Sequence, residues 1–187
     1  MRVFVLGTGR CGTVTFSKAC EYIENYSVGH ESLWGYAGNA RLAYPDNNIE
    51  VDNRLVWFLG ALHKRFGADT FYLHLTRNKA DVIESFVRRG IGLLAHWWGC
   101  GVLYSDVVDS RNFIGVMDDY VETVTANIEE FISDKPSMTG SIETSIEWFP
   151  EFCHKIGARF NKAGALNELR KCHNATIKSD VISGRRL

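Results

Sequence analysis

Val3-Phe-Val-Leu-Gly7-Thr-Gly9-Arg10-Cys11-Gly12-Thr13 passes from four apolar residues into three spaced glycines and then into a helical pattern. A short apolar run that stops at glycine reads as a central strand of a parallel sheet. The glycines let the backbone turn tightly and bring amide N–H groups close to an anion. The helix start adds unpaired donors and the positive end of its dipole. The stretch is therefore read as a phosphate-cradling loop between a buried strand and a helix. Taken alone it leaves several readings open. Gly7-x-Gly9-x-x-Gly12 matches the dinucleotide fingerprint, with Glu31 near the position of the ribose-binding acid. A nucleoside-triphosphate loop fits less well, because Gly-Lys-Ser/Thr is absent and Arg10 precedes Gly12. A glycine turn without a ligand is the plain alternative.

Outward from this loop the pattern alternates between strand and helix. Helices are expected at Thr13–Asn25, Asn53–Phe66, Lys79–Arg89, Phe113–Ile132, Ile146–Ile156 and Ala163–His173, and strands at Val3–Leu6, Tyr26–His30, Thr70–Leu75 and Met138–Ile142. Trp34–Asn48, rich in Gly, Asn and Tyr, and Tyr104–Asn112 read as loops. This order predicts a three-layer α/β/α fold with a mainly parallel central sheet, in a single domain over residues 1–187.

Composition narrows the function. The 187 residues carry a net charge of −1, with 45% hydrophobic and 23% charged residues, so no global basic field grips nucleic acid and any anion site is local. Five cysteines without metal-ligand spacing read as reduced thiols. No apolar run reaches the ~20 residues of a membrane span, and the N-terminus lacks a signal-peptide pattern. The expectation is a cytoplasmic protein with no membrane partner, no nucleic-acid partner and no metal.

Gly9-Arg10-Cys11-Gly12-Thr13 resembles the 5'-phosphosulfate loop of the sulfotransferases that use 3'-phosphoadenosine 5'-phosphosulfate (PAPS), usually Lys/Arg-Ser-Gly-Thr-Thr. Arg10, Gly12 and Thr13 match; Cys11 replaces Ser and Val14 the second Thr, with Thr15 a substitute hydroxyl. A second stretch, Thr76-Arg77-Asn78-Lys79 through Ser85, resembles that family's 3'-phosphate motif: an arginine at a strand end and a serine eight residues on. Lys79 stands where the family has proline. Arg77 supplies a charge-assisted fork and Ser85 a hydroxyl. A dinucleotide enzyme does not need this second motif.

The resemblance implies a P-loop-like sulfotransferase fold, PAPS as donor and 3',5'-bisphosphate (PAP) as product. It implies transfer of a sulfuryl group to a hydroxyl or amine of a small-molecule or carbohydrate acceptor. Arg10 would neutralise the leaving phosphate, with Gly9, Cys11, Gly12, Thr13, Val14 and Thr15 forming the cradle. Gly29-His30-Glu31 resembles the setting of the base in some bacterial members, so Glu31 is the expected base and His30 the runner-up. Asp52 reads as a helix N-cap. Loops 33–48 and 92–112, the latter with His96-Trp97-Trp98, face the acceptor. Residues 178–187 read as a solvated tail, with Arg185 and Arg186 as the alternative cover for the 3'-phosphate. The alternatives to this function are a Rossmann-type NAD enzyme, a divergent P-loop kinase and an inactive nucleotide-binding module. Oligomeric state is not legible.

Overall fold

The computed structural model describes residues 1–67, 69–90 and 92–171; the tail at 178–187 lies outside them. Five strands form one sheet: β1 (Arg2–Leu6), β2 (Ser27–His30), β3 (Asn48–Val51), β4 (Thr70–Thr76) and β5 (Ser137–Ser141). Their order is β2-β3-β1-β4-β5, and every neighbouring pair is parallel. The register pairs Leu6 with His74, His30 with Val51 and Thr76 with Ser141. All five C-terminal strand ends therefore open on one edge.

Side-chain alternation on β1 separates two cores, as the period of two requires. Phe4 and Leu6 face one side with Tyr72, under α2 (Leu59–Phe66), α3 (Lys79–Arg89) and α5 (Phe113–Ile132). Val3 and Val5 face the other, with Ile49, Val51, Leu73 and Leu75, against α1 (Thr13–Cys20), α6 (Ser145–Lys155) and α7 (Lys162–Leu169). The result is the expected α/β/α sandwich. Phe16 on α1 anchors the second side, its ring 5.5–5.7 Å from those of Trp148, Phe149 and Phe152. Burial of a ring of this size stabilises by about 1.5–3 kcal/mol.

Several boundaries differ from expectation for local reasons. The first helix ends at Cys20, with the chain then held by Tyr26 Oη on the Ile156 carbonyl and by the Ile23–Phe160 bridge. Asn53–Phe66 is two pieces, a 3₁₀ turn at Asn53–Trp57 followed by α2, because Phe58 leaves helical geometry. α4 (Leu93–His96) runs into a π-helical turn at Trp97–Val102. The strand β3 begins at the last residue of the expected loop and runs through a stretch given no element. Its Glu50 is fully buried, and a charged residue within a four-residue segment masks the strand pattern.

Candidate functional site

The glycine loop leaves β1 at the open edge of the sheet. Gly9 (φ 78°), Arg10 (φ 60°) and Gly12 (φ 83°) all take left-handed backbone conformations, which turn successive amides toward one side. Gly12 is the N-cap of α1. A Cβ there would lie 2.5 Å from Ile142 Cγ1, so glycine is needed for space as well as for φ. Tyr120, fully buried on α5, donates its hydroxyl to the Thr8 carbonyl at 2.9 Å and fixes the loop from beneath.

Around the loop the two sequence motifs meet. Arg10 Nε donates to Ser85 Oγ at 2.9 Å, and Arg77 Nη1 donates to the Arg10 carbonyl at 3.2 Å. Arg77 is also 4.0 Å from Asp81. Burial and then the guanidiniums of Arg89, Arg77 and Arg88 push the Arg10 pKa below its ordinary value. The charges of three other arginines thus bear on Arg10 in a chain of net charge −1. Arg88 and Arg89 carried no role in the sequence reading. The available signal was their spacing, three and four residues beyond Ser85 on one helix.

The remaining loop residues divide by direction. Cys11 is buried in the core beside Gly7, and burial pushes its thiol up to about 11, so it is a neutral packing group. Thr15 is buried and donates to the Lys171 carbonyl at 3.4 Å. Thr13 and Val14 are half-buried on the first turn of α1. Thr13 Oγ1 lies 3.3 Å from His30 Nε2, which brings His30 to the loop.

Glu31 takes another path. It sits at φ 53° and pairs with Arg54 at 3.0 Å, over the Asn53–Trp57 turn. That turn packs on the loop, since a Cβ on Gly9 would meet Asn53 Nδ2 at 3.2 Å. Asp52 caps it as expected, accepting from the Arg54 amide at 2.8 Å. Asp52 also holds the buried Arg41 at 2.5 Å, and Arg41 in turn donates to Tyr44 Oη.

Below, both oxygens of Glu50 accept from Ser32, from its amide at 2.7 Å and its hydroxyl at 2.6 Å. Burial raises the Glu50 carboxyl above its usual range. A Cβ on Gly29 would lie 2.2 Å from Glu50 Oε2. The glycine of Gly29-His30-Glu31 is therefore what makes room for this carboxylate. Glu50, Ser32 and Arg54 had no sequence signal, because β3 itself was hidden.

In the 92–112 segment, Trp98 is buried and donates Nε1 to Asp119 at 2.7 Å, while Trp97 is 45% exposed. Trp57, 40% exposed, stands edge-on to Trp97 with ring centroids 4.7 Å apart. His96 is exposed. Among the described residues no group of three or more His, Cys, Asp or Glu side chains is arranged to hold a metal, and no helix is long and apolar enough to cross a membrane.

No family model matches this chain, and no curated protein matches it. Among solved structures, the fold is similar to that of a mouse sulfotransferase, SULT7A1, complexed with PAP. The TM-score is 0.58 at 12% identity, over 90% of this chain and 63% of that one. The likeness is one of fold, and the chain spans less than two thirds of that structure's length.

Proposed function

We propose that this chain is a sulfotransferase that moves a sulfuryl group from PAPS to a hydroxyl or amine of a small-molecule or carbohydrate acceptor. One observation carries the reading: Arg10, Arg77 and Ser85, from motifs more than sixty residues apart, meet within hydrogen-bonding distance beside a left-handed glycine loop. The fold shared with a PAP-bound sulfotransferase adds support. A dinucleotide site does not need the arginine–serine motif at the end of β4, and a triphosphate site would lack its loop lysine.

In the proposed reaction the acceptor oxygen or nitrogen attacks sulfur. The bond from sulfur to the 5'-phosphate oxygen breaks, its electron pair stays on that oxygen, and PAP leaves. The loop amides, the start of α1 and the Thr13 hydroxyl meet the developing phosphate charge. Arg77 and Ser85 bind the 3'-phosphate. The acceptor proton goes to a base at the end of β2. Its two candidates differ in position: His30 Nε2 reaches Thr13, whereas the Glu31 carboxylate is held by Arg54. We assign the base to His30, with Glu31 and Arg54 shaping the acceptor entrance beside Trp57 and Trp97.

Thermal unfolding with PAP, NADH and ATP in parallel tests the reading. At ~100 times its dissociation constant PAP adds ~2.7 kcal/mol, a rise of roughly 5–11 °C in melting temperature for a chain of this size. Stabilisation by NADH or ATP without PAP would refute it. Transfer of label from PAPS to members of an acceptor panel separates an enzyme from a binding module. His30→Asn should keep PAP affinity and lose turnover; unchanged turnover would return the base to Glu31.

A further inference from the structure

Glu50 is a fully buried carboxyl that the proposed reaction does not use. Burial raises its pKa; the hydrogen bonds from Ser32 act against that rise, with smaller opposed effects from Asp52 and Arg41. One oxygen takes the Ser32 amide and the other its hydroxyl, a pairing that suits the ionised, acceptor-only form. The register of β2 on β3 sets Gly29 beside Glu50 and His30 beside Val51. Side chains alternate along a strand, so Glu50 covers Gly29 on one face while His30 projects from the other, 3.3 Å from Thr13. A Cβ on Gly29 would lie 2.2 Å from Glu50 Oε2 and 2.9 Å from Ser32 Oγ. One carboxylate thus holds the residue before His30-Glu31 and the residue after it. Between these two points Glu31, at φ 53°, donates its amide to the Val51 carbonyl at 3.1 Å.

We infer that Glu50 is a positioning residue: through Gly29 and Ser32 it fixes the backbone of His30-Glu31 and so aims the His30 imidazole at the glycine loop. The inference rests on the sulfotransferase reading with His30 as base. Glu50 lies on the opposite face of the sheet from His30 and acts on it through the backbone alone. The aim matters because a misplacement of about 1 Å in a reacting group costs up to ~100-fold in rate. A Glu50 that served the fold alone would add stability and leave the His30 ring where it is.

Three variants of the full chain test this: Glu50→Gln, Ser32→Ala at an exposed position, and Gly29→Ala. Gly29 is not at positive φ, so alanine there probes space alone. PAP formation from PAPS, with 2-naphthol and glucosamine as acceptor probes, reads kcat, and calorimetry reads PAP affinity. Glu50→Gln and Gly29→Ala should each lower kcat about tenfold or more, and Ser32→Ala by less. PAP affinity should change by less than about twofold in all three. Adding Gly29→Ala to Glu50→Ala should cost nothing further, because the two residues act as one unit. Histidine-ring NMR, with the His30 signal identified by its loss in His30→Asn, should show that signal moving while those of His63 and His154 stay. Unchanged kcat, an unmoved His30 signal, or an equal loss of PAP affinity would overturn the assignment and leave the sulfotransferase reading intact. If Glu50→Gln fails to fold, Ser32→Ala decides by the same readouts. Failure of the parent chain to bind PAP would overturn both readings.

Discussion

Replacing His74 by leucine should flatten the acid limb of the stability curve. His74 lies on β4, 1% exposed, in a small cavity lined by Thr8, Thr76, Arg77, Val82, Val121 and Thr125. Its Nδ1 has no hydrogen-bond partner among the described residues. Burial lowers its pKa from 6.5 to about 4. Above pH 6.5 the ring is neutral in both states and contributes no pH dependence. As pH falls from about 6.5 to about 4, the unfolded chain binds a proton that the folded chain does not, so stability is lost across that window. The distance between the two values corresponds to about 3 kcal/mol. Glu50 works in the opposite sense. Burial raises its pKa, so its contribution is greatest at low pH and is lost as pH rises through its folded value. The clean quantity is therefore the difference between the parent chain and His74→Leu in urea unfolding at pH 7 and pH 4. The parent should lose about 3 kcal/mol more than the variant. Parallel curves would refute the assignment of a buried neutral imidazole.

Three further outcomes follow from the network around the loop. Asp52→Asn leaves the buried Arg41 without its counter-charge and should cost about 3–5 kcal/mol in urea unfolding; the double change Arg41→Met with Asp52→Asn should recover most of it. Gly12→Ala places a methyl at φ 83° against Ile142 and should cost at least about 1–2 kcal/mol from backbone strain alone. Adding Ile142→Ala should relieve the crowding but not that remainder, read as melting temperature. Tyr120→Phe removes the hydroxyl that holds the Thr8 carbonyl and should cost about 1–2 kcal/mol of stability, with a measurable loss of PAP affinity by calorimetry as the loop loosens.

The sandwich was legible because its decisive elements are ordinary. Val3–Leu6 and Thr70–Leu75 are apolar runs, the long helix at Phe113–Ile132 carries an apolar stripe, and the glycine loop announces the strand-to-helix turn. The arginine–serine motif was legible as spacing, although its contact with Arg10 was not. What stayed hidden depends on partners far away in sequence. Asn48-Ile-Glu-Val51 pairs between β1 and β2 with Glu50 fully buried, and Ser32 satisfies that carboxylate from both its amide and its hydroxyl. Asp52 is acceptable at full burial because Arg41, from a 3₁₀ turn at Gly38–Leu42, reaches it beside the Arg54 amide. Local pattern cannot register a buried carboxylate whose donors lie elsewhere.

Those hidden residues shape the candidate site as much as the visible ones do. Among the described residues, non-glycine positions with positive φ are Arg10, Glu31, Asn47 and Tyr104. Arg10 and Glu31 both lie in the candidate site, and each such position costs of order 1–3 kcal/mol that the surroundings must offset. At Glu31 the offset comes from either side, with Arg54 on its carboxylate and the Glu50–Ser32 pair clamping the residue that follows. At Arg10 it comes from Ser85 on the side chain and Arg77 on the carbonyl. A resemblance carried by short motifs therefore sees the residue types but not what aims them. The same geometry that sends Glu31 toward Arg54 leaves His30 beside Thr13. The proposed choice of His30 over Glu31 therefore depends on a strand that the sequence does not advertise.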